Sequence, residues 1–282
     1  MSTIAVIAGA VAAPRHRRAA VGASILAVLV VVAVLAPVLA PHDPNAIDAD
    51  RILAGPDLSH PFGSDALGRD VLSRVLFAYR ESLAVAVGSV LVALAVGIPL
   101  GLLAGYLGGA VDSLVMRPLD LLLALPALLL ALSLITIIGP GSGVALLAIA
   151  VIYLPILARV VRSSALAVSG EDYVAGARAR GVSGFGVLLR HVTPNSLGPA
   201  VVQASILMGF AIQIEAALSF LGLGAQPPTP SLGLMLADGY QVLRQAPWAD
   251  IFPGLAIAVT VFAFMLIGDG LRAHFDPRGV TE

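Results

Sequence analysis

Long apolar runs separated by short polar breaks set the pattern of this chain. Uncharged or nearly uncharged stretches cover 19–40, 82–107, 121–138, 143–158, 197–223 and 251–268. A run of this kind approaches the roughly 20 residues that a helix needs to cross about 30 Å of hydrocarbon. Residues 121–158 carry no charge at all, too many for one span and enough for two, and the cluster Gly139-Pro140-Gly141-Ser142-Gly143 supplies the turn between them. The pattern predicts an all-α, polytopic membrane protein with six transmembrane helices. Gly97, Gly101 and Gly105 recur on one face of the second run, where small residues let helices approach closely in lipid, and Pro99 predicts a kink.

The polar segments fix an expected orientation. Arg15, Arg17 and Arg18 directly precede the first run, which is too long for the 7–15-residue core of a cleaved signal peptide as an alternative reading. With residues 1–18 in the cytoplasm, 41–81 and 224–250 lie outside and 169–195 lies inside. Arg51, Arg69, Arg74, Arg80 and Arg244 are then external and every other arginine internal, as the positive-inside rule asks. Both termini are expected in the cytoplasm. Pro227, Pro228 and Pro230 require the fifth span to end before them, and Trp248 suits a membrane interface.

The largest internal polar segment, 169–195, has its own local code. Ser169 reads as a helix N-cap, with Glu171 and Asp172 in a first turn that favours anions and Arg178 and Arg180 in a last turn that favours cations. Gly181 supplies a left-handed stop. A second short helix is expected from Ser183 to Arg190, ended by Pro194. Gly176 inside the first helix costs about 1 kcal/mol relative to alanine.

Composition narrows the chemistry. The chain has 282 residues, 59% hydrophobic and 12% charged, against about 25% charged in a soluble domain. There is no cysteine, and all 16 basic residues are arginine. Without lysine there is no Walker A lysine, so the chain is not its own P-loop ATPase. No catalytic constellation and no metal site is expected. His42 and His60 lie near aspartates but lack ligand spacing, and they read as solvated loop residues. Gly181-Val-Ser-Gly184 matches a short intramembrane serine-protease string, yet Ser183 sits in the arginine-rich loop with its nearest histidine, His191, on the same segment.

Within the fifth run, Gln203, Gln213 and Glu215 do not share one stripe at about 100° per residue. Glu215 reads equally as a hydrogen-bonded structural group and as a pore-lining one, and in a proton-coupled secondary transporter it would be the relay. Gln213 and Glu215 are carried as translocation-path candidates.

Four stretches resemble one family. The 169–195 loop, with Tyr173, Ala175, Ala177 and Gly181 in place and Thr193-Pro194 where the family usually has an apolar residue before proline, resembles the EAA loop of ABC importer membrane subunits. HPFGSD (60–65) and GRDVLSR (68–74) resemble a segment of dipeptide, oligopeptide and nickel permeases. EAALSFLGLGAQPPTPSLG (215–233) and GDGLRAHFDPR (268–278) are similar to the fifth-span exit and C-terminal signature of that group. The resemblance implies a type I ABC importer permease core over 82–282, in a bacterial inner membrane. It also implies peptide-class cargo and a coupling surface for an ATPase at Glu171, Tyr173, Ala175, Ala177, Arg178 and Gly181. The implied partners are a second homologous permease subunit, one or two ATPase subunits that bind ATP and magnesium, and an extracytoplasmic substrate-binding protein. No cofactor is expected in this chain, and no nucleic acid.

Overall fold

The computed structural model describes residues 15–275, so most of the expected N-terminal segment and the end of the 268–278 motif, with Arg278, lie outside the described residues. The helices are α1 (Arg15–Val34), α2 (Ala36–Leu39), α3 (Val71–Leu107), α4 (Gly109–Leu123), α5 (Ala127–Ile138), α6 (Ser142–Ser169), α7 (Asp172–Ala179), α8 (Gly184–Val187), α9 (Thr193–Phe220), α10 (Leu232–Gln241) and α11 (Trp248–Phe275). Among the described residues there is no strand, only an isolated bridge between Ser64 and Asp70.

Five helical stretches are long and apolar enough to cross a membrane, or six if the bent pair α4–α5 counts as one. That pair departs from the continuous third span expected at 121–138. The chain turns by 94° between α4 and α5, because Pro126 stands at the α5 N-cap and cannot continue the preceding helix. With 12 residues, α5 reaches only about 18 Å. Asp112 and Arg117, which interrupt the apolar pattern between the second and third runs, ride on α4. Arg162 of α6 grips Asp112 with two nitrogens, and Arg159 reaches Asp120 at 2.5 Å.

The second helix starts at Val71 rather than near Ser82, because Asp70 caps it by accepting from the Ser73 backbone N–H at 2.8 Å. At 37 residues it runs about 55 Å, so one end projects well beyond a hydrocarbon layer. Its glycine face seats α6. A methyl on Gly101 would collide with the Ala158 carbonyl, and one on Gly105 would stand 2.5 Å from the Arg162 carbonyl. The α3–α6 seam is the most extensive helix pairing in the molecule. α9 and α11 complete the central bundle, and α1 lies against α11, where Gly22 and Gly270 allow close approach.

Around the projecting end of α3, residues 41–70 form a compact cap rather than a loose loop. The Asp65 carboxylate accepts from the backbone of Leu67 (2.9 Å) and Arg69 (3.0 Å) and pairs with Arg69 Nε at 2.7 Å. Arg74, almost fully buried, donates to the Pro44 carbonyl at 3.1 Å and faces Asp65. Arg69 also reaches Asp238 of α10 at 3.3 Å. Trp248, expected at a membrane interface, lies under this cap with its indole N–H donating to the Ser64 carbonyl at 3.0 Å. Phe62 stacks on Phe252 at 3.8 Å. At the cap's surface, the Ser59 hydroxyl and then the Arg51 guanidinium donate to Asp57 and hold its carboxyl well below the usual range.

Candidate functional site

At the opposite end of the bundle, α6 runs on through Ser169, whose hydroxyl donates back to the Ala165 carbonyl at 2.6 Å. Ser169 is therefore the last residue of α6 and not the N-cap of the next helix. That position falls to Glu171, which has extended backbone and no side-chain cap bond. Asp172 occupies the first turn of α7, where its charge complements the helix dipole.

The stop of α7 follows the sequence reading. Gly181 has φ +81°, its N–H bonds to the Arg178 carbonyl at 2.9 Å, and Val182 N–H bonds to the Ala177 carbonyl at 3.2 Å. This pair of bonds satisfies the orphan carbonyls at the helix end through a left-handed residue, a Schellman closure.

Pro194 behaves differently from expectation. Ser183 caps α8 by accepting from Gly186 N–H at 3.2 Å, and α8 then widens into a π-helical turn over Leu188–Val192 that passes directly into α9. In that wider turn Thr193 Oγ1 donates to the Leu188 carbonyl at 2.9 Å, and Pro194 falls in the first turn of α9, where its missing N–H costs nothing. The chain thus forms one continuous helical rod from Gly184 to Phe220. Ser183 serves as a cap acceptor in it.

Burial divides α7 into two faces. Val174 and Ala177 are fully buried in a small cluster with Leu102, Val161, Val187 and Val192, so Ala177 packs against the bundle and does not face outward. Glu171, Tyr173, Ala175 and Arg178 are exposed, as is the turn at Gly181. The outer face also presents Phe185 and Leu189, large apolar side chains that the sequence reading did not single out. Their signal was partial: Phe185 is the one phenylalanine of the 169–195 segment, whereas Leu189 stands beside Leu188, which is buried. Arg178 lies over the ring of Tyr106, 5.3 Å from its centroid, and so ties α7 to the end of α3.

Along the second half of the rod, α5, α6 and α9 border an apolar groove of ≈ 440 Å³. Gln213 lines it, and so does Tyr153, whose hydroxyl has no partner. Glu215 does not. It is 1% exposed, beside the close approach of Gly233 to Ala216, and its Oε1 accepts from the Ser219 hydroxyl at 2.7 Å. The two translocation-path candidates are thereby separated, Gln213 on the groove and Glu215 behind it.

Comparison with known proteins gives a consistent result. Residues 97–279 match the family described as binding-protein-dependent transport system inner membrane component, and residues 15–56 match the N-terminal TM domain of oligopeptide transport permease C. The chain is 41% identical over 264 residues to a dipeptide transport system permease protein of Alkalihalophilus pseudofirmus, covering 94% of this chain and 87% of the relative. It is 43% identical over 265 residues to a glutathione transport system permease protein of Pectobacterium atrosepticum (94% and 88% covered). A probable D,D-dipeptide transport system permease protein of Escherichia coli is 40% identical over 256 residues (91% and 86% covered).

Proposed function

The chain belongs to the inner-membrane-component family of binding-protein-dependent transport systems, and from that membership we propose that it forms half of the pathway of a peptide-class ABC importer, driven through α7 and α8. The observation that carries this reading is the two-faced hairpin. Val174 and Ala177 fix α7 to the bundle while Glu171, Tyr173, Ala175, Arg178, Phe185 and Leu189 face outward. A partner ATPase docks on that outer face and binds the ATP and magnesium that this chain has no lysine to hold.

The same hairpin continues as a rod to the groove. Movement imposed at α8 travels along α9, because the helical course is continuous from Gly184 to Phe220, and arrives where Gln213 lines the groove wall. The rod is a rigid element of the kind that switches between two discrete packings. Gln213 supplies a polar contact for cargo within otherwise apolar walls, and a second homologous permease subunit closes the groove from the other side. The names of the relatives support peptide-class cargo.

Arginine placement supports one orientation. Arg159, Arg162, Arg178, Arg180 and Arg190 gather at the hairpin end, which supports a cytoplasmic hairpin and cytoplasmic termini. The cap at 41–70 then faces out, toward a substrate-binding protein.

Reconstitution tests the whole reading. The chain, its partner permease and ATPase subunits and the binding protein, placed in proteoliposomes, should accumulate di- or oligopeptides only with ATP. Uptake without an ATPase subunit would overturn it, as would ATP hydrolysis by this chain alone.

A further inference from the structure

His42 and His60, distant in sequence and without ligand spacing, meet in the cap. Their rings stack with centroids 4.3 Å apart, and Asp70 completes a group whose ligand atoms all lie within 4.8 Å of one another. His60 is buried, against the expectation of a solvated residue, whereas the His42 side chain is 39% exposed.

Three features make this more than a ring stack. Asp70 spends Oδ2 on the Ser73 N–H (2.8 Å) and hydroxyl (2.6 Å), but its Oδ1 is buried with no partner at all. A carboxylate oxygen taken from water and left unpaired is costly, and a cation would satisfy it. The tautomer of His60 is also fixed. The single hydroxyl proton of Ser59 goes to Asp57 Oδ1 at 2.6 Å, so the 3.1 Å contact between Ser59 Oγ and His60 Nδ1 must have the imidazole N–H donating. That leaves the lone pair on Nε2, held in place from behind in the way that ligating histidines usually are. Finally, the His42 backbone N–H donates to Ser73 Oγ at 3.1 Å, and His42 Nδ1 lies 3.9 Å from Asp70 Oδ2.

The geometry points to a site for a divalent first-row metal ion of the zinc class, bound by imidazole nitrogens of His42 and His60 and by the free carboxylate oxygen of Asp70, with a fourth position open to solvent. Two imidazoles and one carboxylate suit zinc and its neighbours and not magnesium or calcium, which prefer all-oxygen shells. Bonds of 2.0–2.1 Å put ligands on a tetrahedral ion about 3.3 Å apart, so the group must close by about 1.5 Å. The half-exposed His42 ring can make that movement. A bound ion clamps the start of the cap to the N-terminus of α3, whichever side of the membrane the cap faces.

The test is titration of Zn²⁺ into the full-length chain in nanodiscs, stripped with a chelator and purified on a histidine-free tag. One zinc per chain is expected, with X-ray absorption showing two imidazole nitrogens and an oxygen. His42→Ala, His60→Ala and Asp70→Asn, the last still a good helix cap, should each weaken binding by more than the 10–100-fold that losing an outer-shell partner costs, and Ser59→Ala should fall within that range. His191→Ala should change nothing. Zinc should raise the unfolding temperature of the wild type and not that of His42→Ala, whose metal-free unfolding temperature shows that it folds. No stoichiometric zinc on the wild type, or wild-type affinity in the His42→Ala/His60→Ala double variant, would overturn the proposal.

Discussion

The Arg178 guanidinium stands 5.3 Å from the centroid of the Tyr106 ring and joins the hairpin helix to the last turn of α3. An exposed contact of this type contributes about 0.5–1 kcal/mol, enough to hold α7 in register without fixing it permanently. Tyr106→Ala should lower ATP-driven uptake by about two- to fivefold while leaving expression unchanged, and Tyr106→Phe should retain most of it. Uptake rates in matched proteoliposomes check this, and equal rates for Tyr106→Ala and wild type would show that the contact carries no load.

Gly181 is held at φ +81° with nothing within 4 Å of the position its Cβ would occupy, so a side chain there meets backbone strain and no clash. A β-branched residue should cost about 1–2 kcal/mol or more. Gly181→Val is expected to insert and assemble yet transport several-fold more slowly, and Gly181→Asn, which visits the left-handed region more readily, should lie between the two. Expression, complex recovery and uptake are compared in one preparation series.

The α3–α6 seam is testable by single methyl groups. Gly101→Ala forces a carbon into the Ala158 carbonyl and the Val161 side chain, an overpacking defect of about 1–3 kcal/mol. Gly143→Ala, at a glycine with open space and ordinary φ, is the control. The first should lower the unfolding temperature in detergent by several degrees and the second should not.

Glu215 offers one oxygen to Ser219 and does not line the groove between α5, α6 and α9. Glu215→Gln preserves an acceptor for that hydroxyl, so uptake should fall at most about twofold, a change near the net contribution of one hydrogen bond. Abolished uptake in an assembled complex would instead assign the carboxylate a role in proton movement.

Parts of this architecture were legible in the residues and parts were not. Gly181 was readable because a helix end is commonly closed by a left-handed residue, a conformation glycine adopts without strain. The glycine face of α3 was readable because close helix approach in lipid selects small residues at a four-residue spacing. The true start of α3 was hidden, since residues 71–81 are too polar to score as a span and the cap that starts the helix is a single aspartate. Pro194 misled because the π-helical turn that accommodates it has no sequence signature of its own. Helix α10 was missed beside three prolines, although Ser231 caps it by accepting from Leu234 N–H at 3.2 Å. The outward residues of the hairpin were half legible: Tyr173 and Arg178 were named, Phe185 and Leu189 were not, and Ala177 proved to face inward. His42, His60 and Asp70 converge only through the folding of the cap, which no local spacing encodes.

The central claim, that the outer face of α7 and α8 receives the ATPase, has a direct measurement, and the absence of cysteine makes it clean. Tyr173→Cys introduces the chain's one thiol on that face, where a maleimide-benzophenone can be attached. Leu58→Cys, on the fully exposed surface of the opposite cap, serves as the matched control. Irradiation of the assembled transporter should join the ATPase subunit to the Tyr173→Cys chain and not to the Leu58→Cys chain. No ATPase adduct at Tyr173→Cys, or equal adducts at both positions, would contradict the account.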